Sequence, residues 1–434
     1  MKCRYLILIF VVTLANGYPS HIFANEEEVQ SRGNVKNKNV LISGAGIAGL
    51  TLAYWLKQHG FVPTLVERHP ILRTGGYKVD IRGVALDVMK RMGAYPSIVD
   101  QRTAIQGATI VDNFSHSITN MNADLCGARV EGDLEIMRGE LCEILLKQIG
   151  DVECLFGDYV THLSQEEKGV YVTFDKSDAR VFDLVIGADG LHSNVRKLVF
   201  GDESKFLQEL GLYVSVYSIP NFVNLDRWEI EYFEPKKFVN VYSSCQDGDA
   251  KVGFAFSSKP LQFDPRDISG QKKLLKEAFA NVGWEVPRLL AEMDGTPDFF
   301  FDSMAQIHMP HWWEGRVALV GDAGYASSPV SGQGTSVAIV GAYVLAGELA
   351  QAQGDYEIAF SAYEKVLRKF VKKNQDLVEM NVAIMTESDS WLTWMHHHLM
   401  ELLPDSWVHV LKKLGTKRVN KAANDLDLKD YSRK

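Results

Sequence analysis

The sequence predicts an α/β fold: a Rossmann-like nucleotide-binding domain, an inserted β-rich domain and a C-terminal helical segment. Three observations predict it. Glycine clusters follow short apolar runs at three well-separated places. Alternating apolar and polar residues fill the stretch between the second and third clusters, and from about Tyr356 onward the pattern turns helical.

Asn39 to Ser43 reads as a short buried strand and Leu50 to Gln58 as the helix after it, with Gly44-Ala45-Gly46-Ile47-Ala48-Gly49 at the turn between them. A dinucleotide fingerprint needs that context, because each glycine has its own task. Gly44 permits the tight turn, Gly46 lets the backbone approach a pyrophosphate, and Gly49 lets helix and strand pack closely. The N–H groups that open the helix then face the phosphates, aided by the helix dipole. The next strand, Val62 to Val66, ends in Glu67 and Arg68. An acid about 20 residues past the glycines is placed to accept hydrogen bonds from a ribose. This fingerprint does not separate one dinucleotide from another.

The second cluster, Gly187-Ala188-Asp189-Gly190, closes the apolar run from Asp183 to Ile186. Gly190 allows close backbone approach, Ser193 can cap a helix starting near Asn194, and Arg196 is expected to pin Asp189 or a phosphate. The third cluster follows the strand Arg316 to Val320. Gly321-Asp322 stands at its carboxyl end, where ligands collect in open α/β sheets, and an acid there can bind a polyol hydroxyl. Pro329 then forces an extended segment, and Gly332 and Gly334 precede a small-residue helix from Thr335 to Leu349 whose N–H groups place positive potential beside a flat ring.

In this order and at these separations the three clusters resemble the group A flavin-dependent monooxygenases, closest to the branch of tetracycline-inactivating enzymes. The likeness runs from about Asn37 to the carboxyl terminus. It implies a discontinuous FAD-binding domain. Gly44, Gly46, Gly49 and Glu67 would bind the ADP part, and Asp189, Gly190 and Arg196 would serve FAD and NAD(P)H. Asp322 would hold the ribityl chain, with Gly332 and Gly334 against the isoalloxazine. A further family feature, an arginine opening a helix near the flavin, fits Arg138 in Ile136-Met137-Arg138-Gly139-Glu140-Leu141. The stretch Gly75 to Gly83 resembles the branch with tetracycline substrates. Where many relatives carry Ala-His after Gly-Asp this chain has Gly324-Tyr325, and Ser336 stands near a common Asn.

The FAD-binding domain is expected from 37–75, 125–200 and 310–350. The substrate domain is expected from 76–124 with 207–309, on the alternation in Tyr213 to Tyr217, Trp228 to Phe233 and Val252 to Phe256. Residues 356–434 are expected as C-terminal helices. Trp391, Trp394, Met395, Met400 and Trp407 read as a packing series, with a lid or membrane-touching helix as the alternative. His396-His397-His398 are consecutive on a helix and point apart, which argues against a metal site.

The 434-residue chain carries a net charge of −9 and no basic stripe, which excludes nucleic acid as an expected partner. None of its five cysteines forms a CxxC pair, so neither zinc nor a redox dithiol is expected, and the count leaves one or two disulfides open. At the amino terminus Lys2 and Arg4 precede the apolar run Tyr5 to Ala15, which is short for a membrane span and suited to a signal segment. Residues 1–24 therefore read as a signal peptide or N-terminal anchor. The protein is expected to be exported or membrane-associated, with a cytoplasm-facing anchor as the alternative.

The resemblance implies that NAD(P)H reduces FAD, that reduced flavin takes up O₂ as a C4a-hydroperoxide, and that one oxygen atom passes to an electron-rich carbon of a polycyclic or aromatic small molecule. No side chain is singled out as a catalytic acid or base, because the cofactor carries the chemistry. The expected flavin contacts are Gly44, Ala45, Gly46, Ile47, Ala48, Gly49, Glu67, Arg68, Arg138, Asp189, Gly190, Arg196, Gly321, Asp322, Gly332, Gly334 and Thr335. Two other readings stay open: a flavin oxidoreductase that does not oxygenate, and a non-catalytic flavoprotein that sequesters a ligand.

Overall fold

Parallel strands covered on both faces must be apolar throughout, and the runs Val40–Ile42, Leu184–Ile186 and Val317–Leu319 are. In the computed structural model, which describes residues 35–73, 75–122, 130, 132–244, 248–386 and 416–431, these runs form the centre of a six-stranded sheet. Its order is Trp313–Glu314, Val317–Leu319, Leu184–Gly187, Asn39–Ser43, Val62–Glu67, Glu153–Phe156. Only the Trp313 pair is antiparallel. The chain starts at Asn39–Ser43, moves to one side for Val62–Glu67 and later returns to the other for Leu184–Gly187. That reversal is the switch point at which open α/β sheets bind ligands.

Helices Ile47–Gln58, Arg138–Ile149 and Gly334–Gln351 pack into this core. The last is apolar all round, so it needs cover on every side. Helix Val84–Arg91 supplies part of that cover, and Val79, Val84, Met89 and Ile98 all belong to the first core. The substrate-domain boundary expected at residue 76 therefore moves to about residue 105, because Val84–Arg91 buries its apolar face against the first core.

The second core lies beneath a seven-stranded sheet ordered Phe300–Ile307, Leu207–Pro220, Asp249–Ser257, Lys237–Ser243, Trp228–Glu234, Gly107–Val111, Ser117–Asn122. The three alternating segments noted in the sequence are strands of it. One face packs Tyr213, Tyr217, Val241 and Phe254 against Leu275 and Phe279 of helix Ile268–Ala278 and Leu289 of helix Val286–Glu292. The opposite face meets the two-stranded sheet formed by Lys78–Ile81 and Leu134–Met137.

Helices Tyr356–Gln375 and Val378–Thr386 continue the chain, and residues 416–423 are helical. Residues 416–431 return across the Gly334 helix. The ring of Tyr431 occupies the notch left by Gly347, where a Cβ would stand 2.2 Å from it, and the Tyr431 hydroxyl and Lys429 ammonium bond Glu348 at 2.7 and 2.6 Å. The N-terminal segment 1–24, the series from Trp391 to Trp407, His396 to His398, Cys3, Cys126 and Cys245 lie outside the described residues. Cys142 and Cys154 are free thiols.

Candidate flavin and substrate site

The three glycine clusters converge because their strands are adjacent and parallel, so all three carboxyl ends open on one edge. Gly44 donates its N–H to Val66 O (2.7 Å), Ala188 to Ser43 O (2.8 Å) and Val320 to Gly187 O (2.9 Å). A Cβ on Gly44 would lie 2.5 Å from Ala188 O, and one on Gly49 1.9 Å from Gly44 O, so both sites exclude any side chain. Gly44 also has φ +109°, open to glycine at little cost. Gly321 completes the junction, its Cβ position 3.0 Å from Ala48 Cβ. Glu67 turns back toward the first cluster and accepts the Ala45 N–H at 2.9 Å and the His69 N–H at 2.9 Å. Arg68 is exposed, its guanidinium 4.9 Å from the Tyr159 ring centre.

Asp189 is held by the Ser193 hydroxyl and by the N–H groups of Asn194 and Val195 at 2.9 and 3.0 Å. Burial raises its carboxyl above the ordinary range against the pull of those donors. Ser193 caps its helix by accepting the Arg196 N–H at 3.0 Å. Arg196 does not pin Asp189. Its side chain is fully buried and its guanidinium donates to Ala323 O (2.8 Å), Leu191 O (2.6 Å) and Glu203. It ties the second cluster to the third. The partner changed because Ala323 sits on the adjacent strand's turn, which the sequence does not place.

Asp322 opens the short helix Asp322–Tyr325. The residue is solvent-exposed, yet its surroundings desolvate the carboxyl enough to raise it, with the Arg138 charge opposing. Both hold for a group at the bottom of a deep, open cleft. Arg138 is the first residue of its helix, and its N–H donates to Tyr77 O at 3.0 Å. Gly76 lies against the Arg138 side chain, where a Cβ would meet it at 3.5 Å. Tyr77 shares the setting: burial raises its phenol, Arg138 lowers it, and Asp322 and Asp302 raise it further. Gly332 is exposed, and Gly334 and Thr335 are half-buried at the first turn of the Gly334 helix. Gly324-Tyr325, the departure from Ala-His, faces inward: the Tyr325 hydroxyl lies 2.8 Å from that of Tyr363 and above Gly341.

The cleft fits a dinucleotide with a ring. No heavy atom lies within 4 Å of a Cβ built on Gly46 or Gly190, so main chain is open to a ligand at both. Helices Ile47–Gln58 and Gly334–Gln351 start with no side-chain cap and no acid in the first turn, leaving N–H groups and dipoles for an anion. Among the described residues the Arg138 guanidinium makes no hydrogen bond or ion pair, and both amide atoms of buried Gln333 lack a partner.

Two site residues inside recognised stretches were not assigned a role of their own. His192 of the second cluster bonds Glu203 (2.8 Å) and Asp302 (3.1 Å) of the seven-stranded sheet, and those two contacts push it up to about 10. Lys78, next to Tyr77, donates to Glu229 and lies 3.6 Å from Glu135; burial opposes its charge, but the two carboxylates win and raise it. The signal was present in Glu229-Ile230-Glu231, acids on alternate positions of a strand whose other face is apolar.

A parallel sheet with an anion-receptive edge, roofed by a second sheet, defines a flavin-dependent oxidoreductase of the aromatic hydroxylase type. The FAD binding domain family profile matches residues 37–375, and the chain belongs to that family as an FAD-dependent monooxygenase. It is 44% identical over 338 residues to a flavin-dependent monooxygenase from an unknown prokaryotic organism, covering 78% of this chain and 88% of the relative. It is 41% identical over 340 residues to a flavin-dependent monooxygenase of Legionella longbeachae, covering 78% and 87%. The crystal structure of tetracycline destructase Tet(51) superposes with a TM-score of 0.79 at 37% identity, covering 90% of this chain and 98% of that one.

Proposed function

We propose that the protein uses NAD(P)H and O₂ to hydroxylate a polycyclic or aromatic small molecule of the tetracycline type. The observation that carries this reading is the inner face of the seven-stranded sheet, whose Phe300 and Asp302 stand beside Tyr77, Arg138 and Asp322. The likeness to a tetracycline destructase over most of both chains supports it. FAD, when bound, would supply hydride acceptance and transfer of one oxygen atom.

The chain's own residues bind, orient and shield. Glu67 and the uncapped Ile47 helix are set to hold the adenosine and pyrophosphate, and Asp322 the ribityl hydroxyls. Arg138 and the Gly334 helix bring positive potential to the ring, which favours negative charge developing there. The sheet above excludes water, and leakage would otherwise divert oxygen to peroxide. Residues 1–24 serve, on the same reading, as an export signal or membrane anchor, which fractionation of the expressed chain tests.

Mass spectrometry of tetracycline incubated with the purified protein, FAD and NADPH is the direct test. Gain of one oxygen atom is expected. NADPH consumed with no product change would favour a non-oxygenating oxidoreductase; tight binding without NADPH oxidation would favour sequestration.

A further inference from the structure

Residues directly paired across a sheet share a face, so register alone maps the surface that looks into the cleft. Three rows cross it. The first runs Glu229, Tyr242, Lys251, Ser218; the second Glu231, Asn240, Gly253, Val216, Phe300; the third Phe233, Phe238, Ala255, Val214, Asp302. The first row is closed by ion pairs, Glu229 with Lys78 and Lys251 with Asp298 at 2.5 Å. The third is covered where Val214, Phe238 and Ala255 pack with Val330, Val382 and Met385. The second row lies between them. Its centre is Gly253 and Val216, both buried, with the Asn240 amide set over Gly253, where a Cβ would stand 2.2 Å from Asn240 Oδ1. Phe300 ends it on the flavin side, its ring 6.0 Å from Tyr77. Glu231 stands four strand spacings away, or about 19 Å, and the row runs on past it to Ile110 and Thr119.

Glu231 is half-buried, and among the described residues it makes no hydrogen bond or ion pair. The groups facing it are already engaged. Asn240 gives its amide N–H to Glu229, Lys78 gives its ammonium to Glu229 with Glu135 beside it, and Tyr242 accepts the Lys78 N–H at 3.3 Å. Two carboxylates, Glu229 and Glu135, already lie on that ammonium. A row that is otherwise neutral thus carries one acid with no cation of its own.

We propose that Glu231 is a specificity residue of the substrate floor and takes a basic nitrogen carried by the aromatic or polycyclic substrate. The proposal rests on reading this sheet as the substrate wall. Burial first, and then the neighbouring Glu229 charge, push Glu231 up to about 8 against the pull of Lys78. Near neutral pH the carboxyl holds a proton, and docking a protonated amine releases it. The substrate's ring system then extends from Glu231 toward Phe300 and Tyr77.

Equilibrium dialysis on the FAD-loaded full chain tests this with two matched pairs: tetracycline against its de-dimethylamino analogue, and 9-aminoacridine against acridone. The wild type is expected to bind the basic member of a pair about 10- to 100-fold more tightly, the worth of a charge-assisted hydrogen bond. Its proton release should make that preference grow as pH rises toward 8. Glu231→Gln should abolish the preference and its pH dependence while binding neutral members as the wild type does, and Glu231→Asp should keep part of both. A wild type indifferent to the basic nitrogen in both pairs, or a Glu231→Gln variant that keeps the preference, overturns the proposal. If tetracycline does not bind but 9-aminoacridine shows a Glu231-dependent preference, the tetracycline reading fails and this one stands.

Discussion

The two walls of the cleft are built for recognition by different means. The parallel-sheet wall offers main chain: glycines at the strand ends, two helix starts left uncapped, and the acids Glu67, Asp189 and Asp322. The antiparallel wall offers side chains in register, charged in one row, small in the next, apolar in the third. Main-chain recognition demands glycine at fixed offsets and therefore leaves a mark in the sequence. Side-chain recognition on a sheet demands only that the right residue fall on the right face, so it leaves almost none.

The sharpest way to break that contrast is within the first glycine cluster. Gly49→Ala should cost about 4 kcal/mol or more, since its Cβ would overlap Gly44 O, and yield little folded protein. Gly46→Ala should keep the fold, because Gly46 has φ −82° and open space around it, and should lose FAD affinity alone. Thermal unfolding of apoprotein set beside FAD titration separates the two; equal loss of stability would erase the distinction between packing and ligand glycines. Next in size, Asp322→Ala should weaken FAD binding about 10- to 100-fold with little change in apoprotein stability. A variant that keeps stoichiometric yellow cofactor through gel filtration contradicts the ribityl role.

On the opposite wall, Asp298 closes the first row. Burial alone would raise its carboxyl, but Lys251, Thr296 and Ser218 hold it well below the usual carboxylate range. A depressed carboxyl stabilises the fold above its ordinary value of 3.8 and loses that contribution as pH falls through the depressed one. Asp298→Asn should therefore cost about 1–3 kcal/mol at neutral pH, shrinking in acid, by denaturant titration across pH. Glu231 runs the other way. Its carboxyl is raised in the fold, so the folded state loses stability as pH climbs from 4.5 toward 8. Glu231→Gln should melt at a slightly higher temperature than wild type above pH 8 and match it in acid; a lower melting temperature at pH 9 would show that the charge stabilises the fold.

What could be read in advance divides along the same line. Gly44, Gly46, Gly49, Glu67, Asp322 and the helix start at Arg138 stood where expected, because strand–turn–helix geometry dictates them locally. The alternating strands at Tyr213, Trp228 and Val252 were legible for the same reason. Arg196 was expected at Asp189 or a phosphate; it makes no hydrogen bond to Asp189, and its protein partners, Glu203 apart, are carbonyls set by tertiary packing. The boundary at residue 76 failed because one amphipathic helix can serve either core. Glu229 and Lys78, 151 residues apart, gave no local sign of meeting.

Arg196 carries one last consequence. By spanning Leu191 O, Glu203 and Ala323 O, all groups of the chain itself, it rivets the mould through protein atoms alone. Lysine, with a point charge in place of a planar fork, could not span the three. Stripping the yellow prosthetic group should accordingly leave a receptor that keeps its shape, and reconstitution should proceed in a single step without refolding.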